Sequence, residues 1–263
     1  MCRLKSNILK STLLFVCVTI LIQVFYAITA RSDLSTTRYF PYGYIIHLLY
    51  YLSVLVVTFL FVGKFAFGAA GLKCVVSWKK YLLIGLVFAL LGFLLKILIV
   101  QGTLGRSYYD LPYYLLVPAF VPLGLLIGLA EESAFRGYIL KNFLERCKPG
   151  LATLFSSFLF GIYHINFLDL SSYTLPFWTF YVAQAFTGGI IMAMLYYKTG
   201  GNLLGSVAYH SSNIVIGQMI LWMPVADAKY LLGAETTINI LLIIILKFLP
   251  IDAQKDNARP LPR

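Results

Sequence analysis

Apolar positions along this chain come in long runs, with neither strand-like alternation nor short amphipathic blocks. A helix needs roughly 20 residues to cross ~30 Å of hydrocarbon. Runs of roughly that length or longer fall at about 8–29, 43–66, 80–100, 112–146, 150–168, 174–197, 203–222 and 234–250. The pattern predicts an all-α, polytopic transmembrane helical bundle with about eight transmembrane helices, and seven if one end segment stays out of the bilayer. The first run, STLLFVCVTILIQVFYAITA, is long for the apolar stretch of a signal peptide and lacks a convincing cleavage site, so it reads as a retained helix. Turn signals separate later runs: CKPG at 147–150 and TGGN at 199–202. No internal repeat stands out. The chain reads as a single integral-membrane domain over 1–263, with its motifs between 131 and 213 and a flexible cytoplasmic tail at 251–263.

Composition agrees with this reading. Hydrophobic residues make up 60% of the 263 and charged residues 12%, against about half and about a quarter in soluble domains. A core of this size cannot hide that excess from water. The formal net charge is +11, from 21 Lys and Arg against 10 Asp and Glu. In a soluble protein this would suggest nucleic acid; here the basic residues lie mostly between apolar runs, and no nucleic-acid partner is expected. With the N-terminus inside, Arg3, Lys5, Lys10, Lys64, Lys73, Lys79, Lys80, Lys141, Arg146, Lys148, Lys198 and the basic C-terminal residues share one side. The other side receives only Arg31, Arg38, Arg106 and Lys229. That bias puts both termini in the cytoplasm. A bacterial or archaeal plasma membrane fits best, with the endoplasmic reticulum as the other option. The four cysteines, Cys2, Cys17, Cys74 and Cys147, show neither a disulfide framework nor a metal knuckle.

Ionisable residues inside apolar runs are costly and are functional candidates by default. GLAEESAFRG, 128–137, carries Glu131, Glu132 and Arg136. Glu132 and Arg136, at i and i+4, share a helix face and can neutralise each other. Glu131 points about 100° away, without that partner, and is the better candidate for a base. The plainer reading is that all three sit at a helix end. FLFGIYHINF carries His164, and the CKPG turn is equidistant from Glu131 and His164. Two antiparallel arms of about 16 residues, on the order of 24 Å of helix, then set both residues at similar depth. VAYHSSNIV carries His210 and Asn213, three residues apart on one face. A satisfied core histidine, or hydrogen bonding between helices, would explain either imidazole without chemistry. Together, one carboxylate and two imidazoles suit proton transfer through a water molecule. The same set could hold Zn2+, although no HExxH is present and no two His share a helix, so a metal is possible but not indicated by spacing, and a metal-free mechanism stays open beside it.

EESAFRG, FGIYH and HSSN resemble, in order and separation, the motifs of the CPBP family of intramembrane proteases, which includes the type II CAAX prenyl endopeptidases and relatives tied to bacteriocin processing and self-immunity. The EExxxR motif is matched by Glu131, Glu132 and Arg136, and FxxxH by Phe160 and His164. The third motif is a His followed, usually four residues later, by Asn or another polar residue. His210 matches, but Ile214 stands at the fourth place and the Asn is at 213. The resemblance implies that Glu131, aided by His164, activates the hydrolytic water. It implies that Glu132 and Arg136 hold the first motif in place, and that His210 and Asn213 stabilise the oxyanion. It also implies partners: membrane lipid and a lipidated or membrane-tethered peptide or protein substrate, the prenylated CAAX tail being the best-known class. Two other readings compete, a non-catalytic immunity or sensor-regulator protein that keeps the motifs as structure, and a proton-coupled transporter. The absence of repeated halves counts against the transporter.

Residues outside the motifs are expected to be structural. His47 has no acidic neighbour in sequence, Lys96 should snorkel toward the outer surface, and AFTGG at 185–189 suits close helix packing. The 19 Tyr and 20 Phe are expected mainly in lipid-facing and interfacial belts.

Overall fold

A computed structural model describes residues 2–32, 40–62, 77–104, 117–165, 167, 175–217 and 225–250. Those residues are helical apart from short turns, and no strand occurs among them. The loops carrying Arg38, Lys64, Lys73 and Arg106, and the tail 251–263, lie outside the described residues.

Helices α1 (Cys2–Ser32), α2 (Phe40–Val62) and α3 (Trp78–Leu104) follow the first three apolar runs. The fourth run is one rod in three parts: α4 (Val117–Glu132), a π-helical segment (Ser133–Leu140) and α5 (Lys141–Leu144). Then come α6 (Pro149–Tyr163), α7 (Leu175–Lys198), α8 (Leu204–Gly217) and α9 (Val225–Phe248). Both turn signals behave as their chemistry dictates. Pro149 occupies the first turn of α6, where its missing N–H costs nothing. Gly200 and Gly201 adopt φ of 67° and 82° after α7, a region that only glycine enters cheaply. Asn202 Oδ1 then accepts from the Leu204 N–H at the start of α8.

Among the described residues, four segments are individually long and apolar enough to cross a membrane: Ile45–Val62, Trp78–Ile99, Leu175–Lys198 and Leu231–Phe248. Large apolar side chains such as Leu60, Leu83, Leu90 and Leu98 stand outward on α2 and α3. A water-soluble protein would bury such stripes; lipid tails solvate them. With every described helix closing its own backbone hydrogen bonds, the bundle meets the central demand of the bilayer interior. The chain is thus an all-helical integral membrane protein, as the apolar runs predict.

Small residues set the helix crossings. A Cβ built on Gly85 of α3 would lie 2.2 Å from the Gly205 carbonyl oxygen of α8, so the two backbones nearly touch. Gly124 and Gly128 of α4 meet α8 in the same way, at Val215 and Ser211. Helix α8 is therefore gripped between α3 and α4, and its His210 is fixed by backbone contact. Gly85→Ala should lower the unfolding free energy by about 1–3 kcal/mol through overpacking, outweighing the ~1 kcal/mol that alanine gains in helix propensity. The check is a thermal unfolding curve of the detergent-solubilised variant, which should move to lower temperature.

Three expectations change here. Lys96 does not snorkel outward: it is buried and paired with Glu235 of α9, because a cation at bilayer depth is better satisfied by a carboxylate than by stretching toward water. Some aromatic residues depart from the expected belt: Tyr50, Phe135, Phe160, Tyr163 and Tyr209 are buried inside the bundle. The last helix begins at Val225, well before the predicted start at 234, so Glu235 lies well inside it and not at its first turn.

Candidate active site

The three motifs converge. Glu131, His164, His210 and Asn213 line one cavity of 260 Å³, walled by several helices. Glu132 and Arg136 are fully buried behind that wall.

The i, i+4 pair forms as its spacing predicts. Arg136 Nη1 donates to Glu132 Oε1 at 2.9 Å, and Nη2 donates to the Gly189 carbonyl of α7 at 3.0 Å. The guanidinium lies over the Phe160 ring, 4.4 Å from its centroid. Close approach of α7 requires Gly189: a Cβ there would sit 3.0 Å from the Ser157 Cβ and 3.3 Å from Arg136 Nη2. The AFTGG stretch thus serves close packing and also offers Arg136 a bare carbonyl. Directly after Glu132 the backbone widens into the π-helical segment, a rare geometry that recurs at functional sites.

His210 is held between the two glutamates. Its Nδ1 donates to Glu132 Oε1 at 2.9 Å, while its Nε2 faces Glu131 Oε2 at 3.6 Å. Packing explains this placement, because Gly128 and Ser211 bring α4 and α8 together one turn from the acids. Glu131 Oε1 accepts a long hydrogen bond, 3.4 Å, from the Tyr163 hydroxyl. That hydroxyl also meets the hydroxyl of Tyr50 on α2. Glu131 Oε2 is buried with no hydrogen-bond partner among the described residues. Buried polar atoms are almost always satisfied, and an exception calls for an unseen water or a chemical role.

His164 closes α6. Its Nδ1–H donates to the Phe160 carbonyl at 2.7 Å, which leaves Nε2 as the unprotonated nitrogen of the neutral ring. The physical sense of FxxxH is visible here: the Phe160 carbonyl orients the imidazole four residues on. Its ring packs edge-on against both His164 and His210, at 4.5 and 5.7 Å between centroids. His164 shares the cavity with Glu131, but no hydrogen bond or ion pair joins the two among the described residues. Asn213 Nδ2 donates to the Tyr209 carbonyl at 3.0 Å, so its side chain stays on the His210 face of α8 and on the cavity wall.

Sequence reasoning missed several wall residues. His47 lines the cavity and stacks edge-on to Phe25. Glu235 faces the cavity from α9, and behind the wall Tyr163 donates to the first acid while Tyr50 meets Tyr163. Glu235 was detectable by the rule that singles out Glu131, a carboxylate within an apolar run; the tyrosines carry no such local signal.

For Zn2+, the described residues do not form a ready donor set. No group of three His, Cys, Asp or Glu among them is placed to hold a metal ion. Nδ1 of His210 is held by Glu132 and Nδ1 of His164 by a carbonyl, so each ring has only Nε2 to offer a metal.

Fold and site together define a helical integral-membrane protein with an acid–imidazole centre sunk inside the bundle. Residues 112–216 match the family model described as type II CAAX prenyl endopeptidase Rce1-like. The match spans all three motifs and bears out the resemblance read from them. At the level of the family, it points to a membrane-embedded endopeptidase. No curated protein matches the chain.

Proposed function

We propose that this protein is an intramembrane endopeptidase that hydrolyses a peptide bond of a membrane-tethered or lipidated substrate, with the C-terminal CAAX tail of a prenylated protein as the first candidate. The observation that carries the reading is Glu131 Oε2, which accepts no hydrogen bond and is buried on a cavity wall that also holds His164, His210 and Asn213.

In this mechanism Glu131 Oε2 takes a proton from a water molecule, and the nascent hydroxide attacks the scissile carbonyl carbon. The unprotonated Nε2 of His164 accepts a hydrogen bond from the water's other O–H, which stays on the oxygen, and so orients it. Negative charge develops on the carbonyl oxygen as the carbon becomes tetrahedral. Asn213 donates to it through the N–H not given to Tyr209, and His210, when doubly protonated, donates through Nε2. Preorganised donors in a site with little water are effective because they need no reorientation during the reaction. Glu131 then returns its proton to the leaving amine, which ends the cycle with peptide bond broken, water consumed and the carboxylate restored. Glu132 and Arg136 touch no substrate; they hold His210 and the first motif in place.

Both termini are assigned to the cytoplasm on the basic-residue bias, with the substrate entering from the same leaflet.

The test is a proteolysis assay of the purified protein in detergent against a farnesylated CAAX-type peptide and the same peptide without lipid. Cleavage of the lipidated peptide at a rate at least about tenfold higher in kcat/KM is expected, since remote binding energy from the lipid should be used in the transition state. Cleavage of neither peptide would count against the endopeptidase reading. Repeating the assay with and without chelator, alongside metal analysis of the purified protein, decides whether Zn2+ takes part.

A further inference from the structure

The cavity has a second polar wall that the three motifs do not account for. Beside the acids and imidazoles of the motifs, the same cavity is lined by Glu235 and Asn239 of α9 and by Gln184 of α7. Glu235 is outside the stretch matched by the family model. One of its carboxylate oxygens pairs with Lys96 Nζ of α3, and the residue still forms part of the cavity wall. Lys96 has no place on that wall, so the cation stands behind the carboxylate.

Stability alone is a poor reason for such a pair. Removing two charges from water costs several kcal/mol per ion in effective terms, and well-packed apolar residues often serve as well or better. Intramembrane charges are kept where they face a pathway or a ligand. The neighbours sharpen the point. Asn239 Nδ2 donates to Thr187 Oγ1 and to the Gln184 carbonyl, and its Oδ1 accepts from the Tyr209 hydroxyl. Asn239 is therefore spent on joining α7, α8 and α9 below Glu235, and the acid remains the wall's strong acceptor. Because Lys96 already neutralises its charge, the second oxygen suits a neutral N–H donor better than another cation.

We propose that Glu235, held by Lys96, is a substrate-binding subsite that accepts a hydrogen bond from a backbone N–H of an extended peptide, setting its register in the cavity it shares with Glu131. The inference rests on the endopeptidase reading for the identity of the ligand, and on the geometry of the wall for the site. Glu235 is a binding residue here and takes no proton in the reaction.

Two variants separate this from a plain tether between α3 and α9. In Glu235→Gln, Lys96 claims the only acceptor oxygen and an NH₂ group replaces the acceptor at the cavity. In the exchanged pair, Lys96→Glu with Glu235→Lys, the tether survives but a donor faces the substrate. The probe is a fluorescent farnesylated CAAX-type peptide. Its Kd is measured on the full chain carrying Glu131→Gln, and its cleavage kinetics on the chain with Glu131 intact. Both changes should weaken binding by about tenfold or more, and Glu235→Gln should raise KM with kcat nearly unchanged, the mark of uniform binding lost. An exchanged pair that binds and cleaves like the parent overturns the proposal, as does a parent that does not bind the probe. If the exchanged pair fails to fold by size-exclusion chromatography, an unchanged Kd and KM in Glu235→Gln overturn it alone. Binding that weakens as expected in a protein that cleaves nothing upholds the subsite and removes the endopeptidase reading.

Discussion

Glu131→Gln is expected to lower the rate of peptide cleavage by roughly 10²–10⁴-fold, the usual span for loss of a positioned general base, while the thermal unfolding curve in detergent stays where it was. The two halves of this expectation come from different atoms. Oε1 receives the Tyr163 hydroxyl, and a Gln carbonyl oxygen can receive it equally well. Oε2 accepts no hydrogen bond and meets only the His210 Nε2 at 3.6 Å, so exchanging it for NH₂ breaks no hydrogen bond, yet it removes the atom proposed to take the proton from water. Glu132 makes the contrast. Its Oε1 serves both Arg136 and His210, so Glu132→Gln should weaken the fold and the reaction together. His164→Ala and His210→Ala should also lower turnover. Full cleavage by Glu131→Gln would refute the glutamate base, and wild-type behaviour in all three variants would favour the non-catalytic immunity or sensor reading.

What the chain discloses in advance depends on how far apart the cooperating residues are. Local periodicity is enough for the helices, because a run of apolar residues states its own length and the bilayer fixes the minimum. The i, i+4 relation of Glu132 and Arg136 is likewise complete within one turn, and the 2.9 Å contact follows. The antiparallel argument across CKPG correctly brings Glu131 and His164 to one cavity. It does not foresee that the imidazole nearest Glu131 is His210, 3.6 Å away. That contact is decided by Gly128 meeting Ser211 at the crossing of α4 and α8, and crossings of distant helices leave little trace in linear spacing. Lys96 and Glu235 illustrate the same limit at 139 residues of separation. Each is a lone charge in an apolar run, and the requirement that buried charges be paired could have joined them. Treating Lys96 as a snorkelling side chain and leaving Glu235 at the very edge of the last run kept the two apart. The π-helical segment has no linear signal at all. It starts directly after Glu132 and carries Arg136, whose guanidinium lies over the Phe160 ring while both acids meet His210 of α8.

The largest loss of stability is expected from Arg136→Met. The side chain is wholly buried, and its charge is the counter-ion that allows Glu132 to be ionised inside the bundle. Removing one partner of a buried pair costs about 3–5 kcal/mol, because the other charge is left uncompensated. Two further losses accompany it: the Gly189 carbonyl forfeits its donor from Nη2, and the face of Phe160 forfeits its cation. Arg136→Lys should be milder but still harmful, since an ammonium keeps the charge and lacks the planar fork that reaches Glu132 and Gly189 at once. Adding Glu132→Gln to Arg136→Met removes the stranded carboxylate and should recover part of the stability, a coupling that a double-mutant cycle reads directly. Cleavage should not recover with it. His210 needs an acceptor held at Nδ1 to aim Nε2 into the cavity, and a Gln freed from Arg136 has no second contact to keep its oxygen there. Unfolding curves and initial rates measured on the same four proteins would therefore diverge. A double variant that regained both stability and turnover would show that the pair supports the fold alone and that His210 is positioned by other means.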